Sequence, residues 1–131
     1  MADDNAFEVA QKAWDTWVAA DLEGFVNMWD PDGVWTNAGR SQISGPRRGH
    51  DEITKVAQLA FQLSGGTLKA RPVELAAAGE DVVLGYFHVE AQRPGAAIDQ
   101  YGLQRFVIRS GKIVSLDNVF SDQGQFDAFY E

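Results

Sequence analysis

Cysteine is absent from the chain, and histidine occurs only twice. Without cysteine there are no disulfides, no thiolate metal sites and no thiol nucleophile. The two histidines, His50 and His88, and the scattered carboxylates show no metal-ligand spacing. Basic residues are scarce as well: 11 Lys and Arg stand against 19 Asp and Glu, for a net charge of -8. Nucleic acid and anionic membrane surfaces call for a basic patch, so an acidic chain is a poor partner for either. No apolar run approaches the roughly 18 to 20 residues of a membrane span. The acidic start, Met1-Ala2-Asp3-Asp4-Asn5, does not read as a signal peptide. Gly65-Gly66 lacks the surrounding pattern of a phosphate loop. These absences lead us to expect a cytoplasmic protein with no metal, no cofactor, and neither nucleic acid nor membrane as partner.

What is present is an ordinary globular balance, with 45% hydrophobic and 23% charged residues in 131. That length suits one domain with a real core, spanning 1–131. Phe7, Ala10, Trp14, Trp17 and Val18 recur at helical spacing and predict a helix over 5–20. Asp21 is an N-cap for a short second helix carrying Leu22, Phe25, Val26 and Trp29. Pro31-Asp32-Gly33 reads as a turn, and Val34 to Asn37 as a short strand. Residues 39–49 form a loop or weak hairpin. Asp51 and Glu52 suit the positive end of a third helix whose stripe is Ile53, Val56, Ala57, Ala60 and Phe61. Gly65-Gly66 stops it.

From Thr67 the hydrophobic period becomes two. Strands are expected over 67–78, 80–93, 97–109 and 112–122, joined by short turns that force antiparallel neighbours. Residues 125–130 read as a short terminal helix. The expected fold class is α+β: a cone of three N-terminal helices on a strongly curved, mixed, mostly antiparallel sheet, with a short C-terminal helix.

Three segments carry a family resemblance over nearly the whole chain. They are Asp21-Leu22-Glu23-Gly24 with Phe25 and Trp29, the helix start Gly49-His50-Asp51-Glu52-Ile53, and the hairpin from Phe106 to Val114 running into Asp117-Asn118-Val119-Phe120. In these the chain resembles the nuclear transport factor 2-like superfamily, in its SnoaL-like and ketosteroid isomerase-like branch. That resemblance implies a hydrophobic pocket inside the cone and a homodimer, formed through Tyr101, Leu103 and Val107 on the outer sheet face. The fold hosts enzymes, carriers and assembly domains alike, so the site must decide the function.

The family's catalytic groups do not carry over. The isomerases' base aspartate falls on Thr36 or Asn37, and their protonated acid falls on Gln104. The limonene epoxide hydrolases' Arg-x-Asp pair falls on Phe87 and Val89, and their last-strand aspartate on Asn118. The resemblance places Gln104, Asn118 and Asn37 inside the cone, as amides that would polarise a carbonyl. Trp14, Trp17, Trp35, Phe87, Val89, Phe106, Leu116 and Phe120 would then bind substrate.

The competing candidates are His88 and Glu90, two apart on one strand, and Asp117. They face the pocket only if the strand register is opposite, because a one-residue slip exchanges the faces. His50 reads as a surface residue, Asp122 flanks the last strand without matching a cyclase motif, and the Arg40, Arg47, Arg48 cluster either balances an acidic surface or holds an anionic substrate group near the cone mouth. Three functions remain open: cofactor-free proton transfer on a hydrophobic cyclic substrate (isomerisation, cyclisation or dehydration), non-catalytic binding of a hydrophobic polycyclic ligand, and an assembly role.

Overall fold

The computed structural model describes residues 5–131. The acidic start Met1-Ala2-Asp3-Asp4 lies outside them. The order is α1 (Ala6–Val18), α2 (Leu22–Asn27), β1 (Trp29–Asn37), β2 (Gly45–Arg48), α3 (Gly49–Leu63), β3 (Lys69–Ala77), β4 (Val82–Arg93), β5 (Ala96–Arg109), β6 (Lys112–Phe120) and α4 (Gln123–Phe129). Six strands form one sheet in the order β2-β1-β6-β5-β4-β3. All neighbours are antiparallel except β1 and β6, which are parallel. No helix among the described residues is long and apolar enough to cross a membrane.

Local chemistry starts and stops each element. The Asn5 side chain accepts from the Glu8 N–H at 2.9 Å to cap α1, and Asp21 accepts from the Gly24 N–H at 2.9 Å to cap α2. Each satisfies a helix-start donor that no carbonyl can reach. Between these helices Ala20 takes a left-handed φ of 58°. The Asp21 N–H then turns back to the Thr16 carbonyl at 2.8 Å, the closing bond of a Schellman stop. The β5–β6 hairpin turns on Ser110 and Gly111, both with positive φ, as a two-residue turn of the primed type requires.

Two expectations are corrected. Trp29 does not belong to α2, which ends at Asn27; it opens β1. Pro31-Asp32-Gly33 does not reverse the chain but lies within β1, where the register against β6 shifts between Trp29 and Val34. The bulge has a steric cause. Gly33 lies so close over the Trp29 ring that a Cβ there would sit 2.7 Å from Cε3, and 2.9 Å from the Ile113 carbonyl. Only glycine lets the strand continue across that ring.

The helices cover one face of the sheet: α1 packs on β3, β4 and β5, and α3 on β1 and β2. Alternation along the strands separates the two faces cleanly. Phe87, Val89, Ala91, Gly102, Gln104, Phe106, Leu116 and Asn118 are buried, whereas Tyr86, Glu90, Tyr101, Leu103, Arg105 and Val119 are exposed.

α4 closes the open end. Its start is held by Gln100, which accepts from the Asp122 N–H at 2.9 Å and donates to the Asp122 carbonyl at 3.1 Å. Its far end buries Phe126, Phe129 and Tyr130. Phe126 stacks on Phe120 with ring centroids 3.7 Å apart, and the Tyr130 hydroxyl donates to the Ala60 carbonyl at 3.2 Å.

Burial pushes the Tyr130 phenol well above its ordinary pKa. In the unfolded chain the same phenol ionises near about pH 10. A raised folded pKa gives stability that is complete below that pH and is lost as pH rises through the folded value. Stability is therefore expected to fall above about pH 10, by up to about 1.4 kcal/mol per pH unit from this group. Urea titrations over that range should show the slope in the native sequence and a shallower one in Tyr130→Phe.

Candidate functional site

Between helices and sheet lies a partly open cavity of about 80 Å³. α1 and α2 supply Ala13, Trp14, Trp17 and Phe25; α3 supplies Val56 and Ala60. The strands supply Trp35, Asn37, Ala70, Phe87, Val89, Gln104, Phe106, Leu116, Asn118 and Phe120. Ile43 and Leu68 come from connecting segments, and Phe126 and Tyr130 from the C-terminal end. Trp17, Phe25, Trp29 and Trp35 form an aromatic cluster. Trp17 meets Trp35 edge-on at 5.8 Å and 88°, and stacks on Phe61 at 5.2 Å. Trp17 and Phe25 also line a groove on the outer side of the helices, so they form the partition between it and the cavity.

The polar part of the wall is one continuous chain of hydrogen bonds. Trp14 Nε1 donates to Gln104 Oε1 at 2.7 Å. Gln104 Nε2 donates to Asn118 Oδ1 at 3.0 Å, Asn118 Nδ2 to Asn37 Oδ1 at 2.9 Å, and Asn37 Nδ2 to the Ile43 carbonyl at 3.2 Å. Its direction is determined at both ends. An indole can only donate and a backbone carbonyl can only accept, so each amide between them has one possible orientation. Strand register makes the chain possible: Gln104 pairs with Asn118 and Asn118 with Asn37, which puts the three amides in a row across β5, β6 and β1. Gly85, opposite Gln104 on β4, keeps the space open; a Cβ there would stand 2.7 Å from Gln104 Oε1.

The amides are only 6–8% exposed. Burying such groups without partners would cost about 1–3 kcal/mol each, so the chain is also a condition of stability. Two buried side-chain donors remain without a partner among the described residues, Trp29 Nε1 and Trp35 Nε1. Of these two tryptophans, Trp35 lines the cavity.

All three amides expected to polarise a carbonyl and all eight residues expected to bind substrate line this wall. The alternative acid–base residues lie on the outer sheet face. His88 Nε2 pairs with Asp99 Oδ1 at 2.6 Å, Glu90 is exposed, and Asp117 pairs with Arg105 at 2.9 Å. The other candidates are engaged locally. His50 Nε2 meets the Trp29 carbonyl at 2.9 Å, and Asp122 caps α4 through the Gln125 N–H at 3.0 Å. Arg47 binds the Gln42 and Ser44 carbonyls and Arg48 the Asp32 carbonyl, and neither they nor Arg40 line the cavity.

Sequence reasoning missed Ala13, Phe25, Ile43, Val56, Ala60, Leu68 and Ala70 as wall residues. The helical spacing that marked Phe25 and Ala60 as buried gave no sign that they border a void. Ile43 had no signal, because it lies in a loop without periodicity.

The model for SnoaL-like domains matches residues 10–116. No curated protein matches the chain. Among solved structures, the chain is 28% identical to a Xanthomonas campestris protein of unknown function with a cystatin-like fold. The TM-score is 0.90, over 96% of this chain and 98% of that one. It is 19% identical to TerC co-crystallised with polyporic acid, with a TM-score of 0.81 over 95% of this chain and 97% of that one. A Mycobacterium tuberculosis protein in complex with estradiol-17beta-hemisuccinate is 16% identical, with a TM-score of 0.73 over 86% of this chain and 91% of that one.

Gln104→Leu removes the acceptor of Trp14 and the donor to Asn118 together. It is expected to cost about 1–3 kcal/mol. Adding Trp14→Phe should cost less than the sum of the two single changes, because the bare indole N–H is then gone. Urea denaturation of both single variants and the double variant measures the coupling.

Proposed function

The chain belongs to the family of SnoaL-like domains, and we propose that its cavity binds and holds a flat, hydrophobic small molecule without transforming it. The observation that carries this reading is the composition of the wall. Among the described residues, no carboxylate, imidazole, amine or guanidinium lines the cavity. Cofactor-free isomerisation, cyclisation or dehydration needs a group at the wall that takes up a proton and gives it back. The lone titratable side chain there, Tyr130, is kept neutral by burial and donates to a backbone carbonyl. The amides Gln104, Asn118 and Asn37 can orient a polar substituent, but they do not act as bases. A concave apolar space with a few convergent polar groups is the usual form of a small-molecule site. TerC and the mycobacterial protein, which share this fold, have each been crystallised with an organic ligand.

We further propose that a second copy covers the outer sheet face. Tyr86, Leu103 and Val119 stand in register across β4, β5 and β6, all exposed, with Leu84 and Tyr101 beside them. An apolar row of this kind on a sheet is a recognition surface more often than a solvated one.

Ala70 lines the cavity from a half-buried position on β3, so Ala70→Trp should fill the space without disturbing the core. In tryptophan-fluorescence or calorimetric titrations with aromatic ring compounds, we expect this variant to bind at least about tenfold more weakly, with an unchanged circular dichroism spectrum. His88→Ala should bind as the native protein does. Equal binding by Ala70→Trp, or turnover of a bound compound that is lost in His88→Ala, would reject the reading. Leu103→Glu is expected to reduce the sedimenting mass to that of a monomer.

A further inference from the structure

The cavity is smaller than the ligand it is proposed to hold. Its volume is about 80 Å³. An apolar cavity of roughly 150 Å³ is what holds a single benzene ring. A flat ring compound therefore either stands out of the mouth or displaces part of the wall.

Two properties decide which part of a wall can move: what restrains the side chain and what lies behind it. Trp14 is tied to Gln104 through its indole nitrogen, and Tyr130 to the Ala60 carbonyl through its hydroxyl. Trp35, Phe87, Phe106 and Phe126 belong to the buried core, none more than 7% exposed. Phe120 is half-buried, but it lies flat against Phe126 at 3.7 Å. Trp17 differs on each count. It is half-buried, and no hydrogen bond among the described residues holds its indole nitrogen as Gln104 holds that of Trp14. On its other side lies the external groove, which at about 270 Å³ is larger than the cavity. That groove runs between the α1–α2 turn, with Ala20 and Leu22, and α3, with Gln58 and Phe61.

The neighbours of Trp17 are aromatic rings: Phe25 at 5.1 Å, Phe61 at 5.2 Å and Trp35 at 5.8 Å. Such contacts are satisfied by several relative orientations. Phe25 and Phe61 both border the groove, so a ring turned outward keeps two of its three partners. Trp17 is also the last residue but one of α1. A change of its side-chain rotamer breaks no backbone hydrogen bond.

We propose that Trp17 is the movable wall of the cavity. Its indole turns into the groove as a ligand enters, and joins the two spaces into one site between α1, α2 and α3. This rests on the binding reading above and adds how that site opens. It makes Trp17 the residue that sets the size of ligand admitted.

The test uses naphthalene as the probe. The four tryptophans are replaced by 5-fluorotryptophan, and their fluorine signals are assigned with single Trp→Phe variants. On saturation of the otherwise native chain, the Trp17 signal should move and its shift between H2O and D2O should grow, as for a ring turned toward solvent. The Trp29 signal should keep its position. In stopped-flow fluorescence, Trp17→Ala is expected to bind and release naphthalene at least about fivefold faster than the native chain. Arg93→Ala is the control for entry beneath α4. Arg93 donates to the Phe129 and Ala128 carbonyls at the end of that helix, and its loss should leave both rates unchanged.

If naphthalene binds while the Trp17 signal keeps its position and its solvent shift, the proposal is overturned and the binding reading stands. Faster binding by Arg93→Ala with native rates in Trp17→Ala has the same meaning, with entry beneath α4. Binding by Trp17→Ala alone would make the indole a fixed plug, which also overturns the proposal. If neither the native chain nor Trp17→Ala binds, the binding reading falls and the proposal with it. The fluorine signals of the native chain keep the test decisive even if Trp17→Ala does not fold.

Discussion

The structure depends on the line of hydrogen bonds that runs from the Trp14 indole through Gln104, Asn118 and Asn37 to the Ile43 carbonyl. It ties the first helix to three strands and then to the loop between β1 and β2. Two of its links, Trp14 to Gln104 and Asn118 to Asn37, join residues 90 and 81 positions apart, while the Asn37 to Ile43 link spans six. An obligate donor at one end and an obligate acceptor at the other make its polarity unique. Each amide therefore holds the next in a single orientation, and buried polar chains of this kind reward complete satisfaction and penalise any gap. An apolar core alone would have left the depth of α1 on the sheet less sharply defined.

The same line explains how the sheet divides its chemistry. Its inner face carries aromatics, aliphatics and amides. Its outer face carries the hydrogen-bonded pair His88 with Asp99 and the ion pairs Arg105 with Asp117 and Arg109 with Asp81. Two glycines on the inner face make the arrangement fit. Gly85 leaves room for Gln104, and Gly102 for the Phe87 ring. A void in the core is normally a cost in lost contacts. Here Trp14, Trp17, Trp35 and Phe87 border it without filling it, and α4 roofs it instead of collapsing into it.

Much of this was legible in order. The helical stripe Phe7, Ala10, Trp14, the strand period from Thr67 onward and the turn residues Pro94-Gly95 and Ser110-Gly111 all give local signals that need no tertiary knowledge. The inner face was legible through resemblance, because alternation alone gives two sets without saying which is inside. Trp29 and Pro31-Asp32-Gly33 were misread for one reason: turn chemistry is local, whereas the bulge that absorbs it is imposed by the Trp29 ring beneath Gly33 and by β6 alongside.

By itself, the sequence determined the α+β class, the order of elements and the acidic, cysteine-free character that excludes thiol chemistry. It determined these because helix and strand periods, caps and turns act over a few residues. Only the tertiary structure decided that Gln104, Asn118 and Asn37 form one directed chain, that Ile43, Ala60 and Ala70 border a cavity, and that the Trp35 indole N–H has no partner among the described residues. Those properties belong to residues tens of positions apart. They exist only once strand register and helix packing have brought the residues within hydrogen-bonding range, where distance and burial, rather than residue type, set the chemistry.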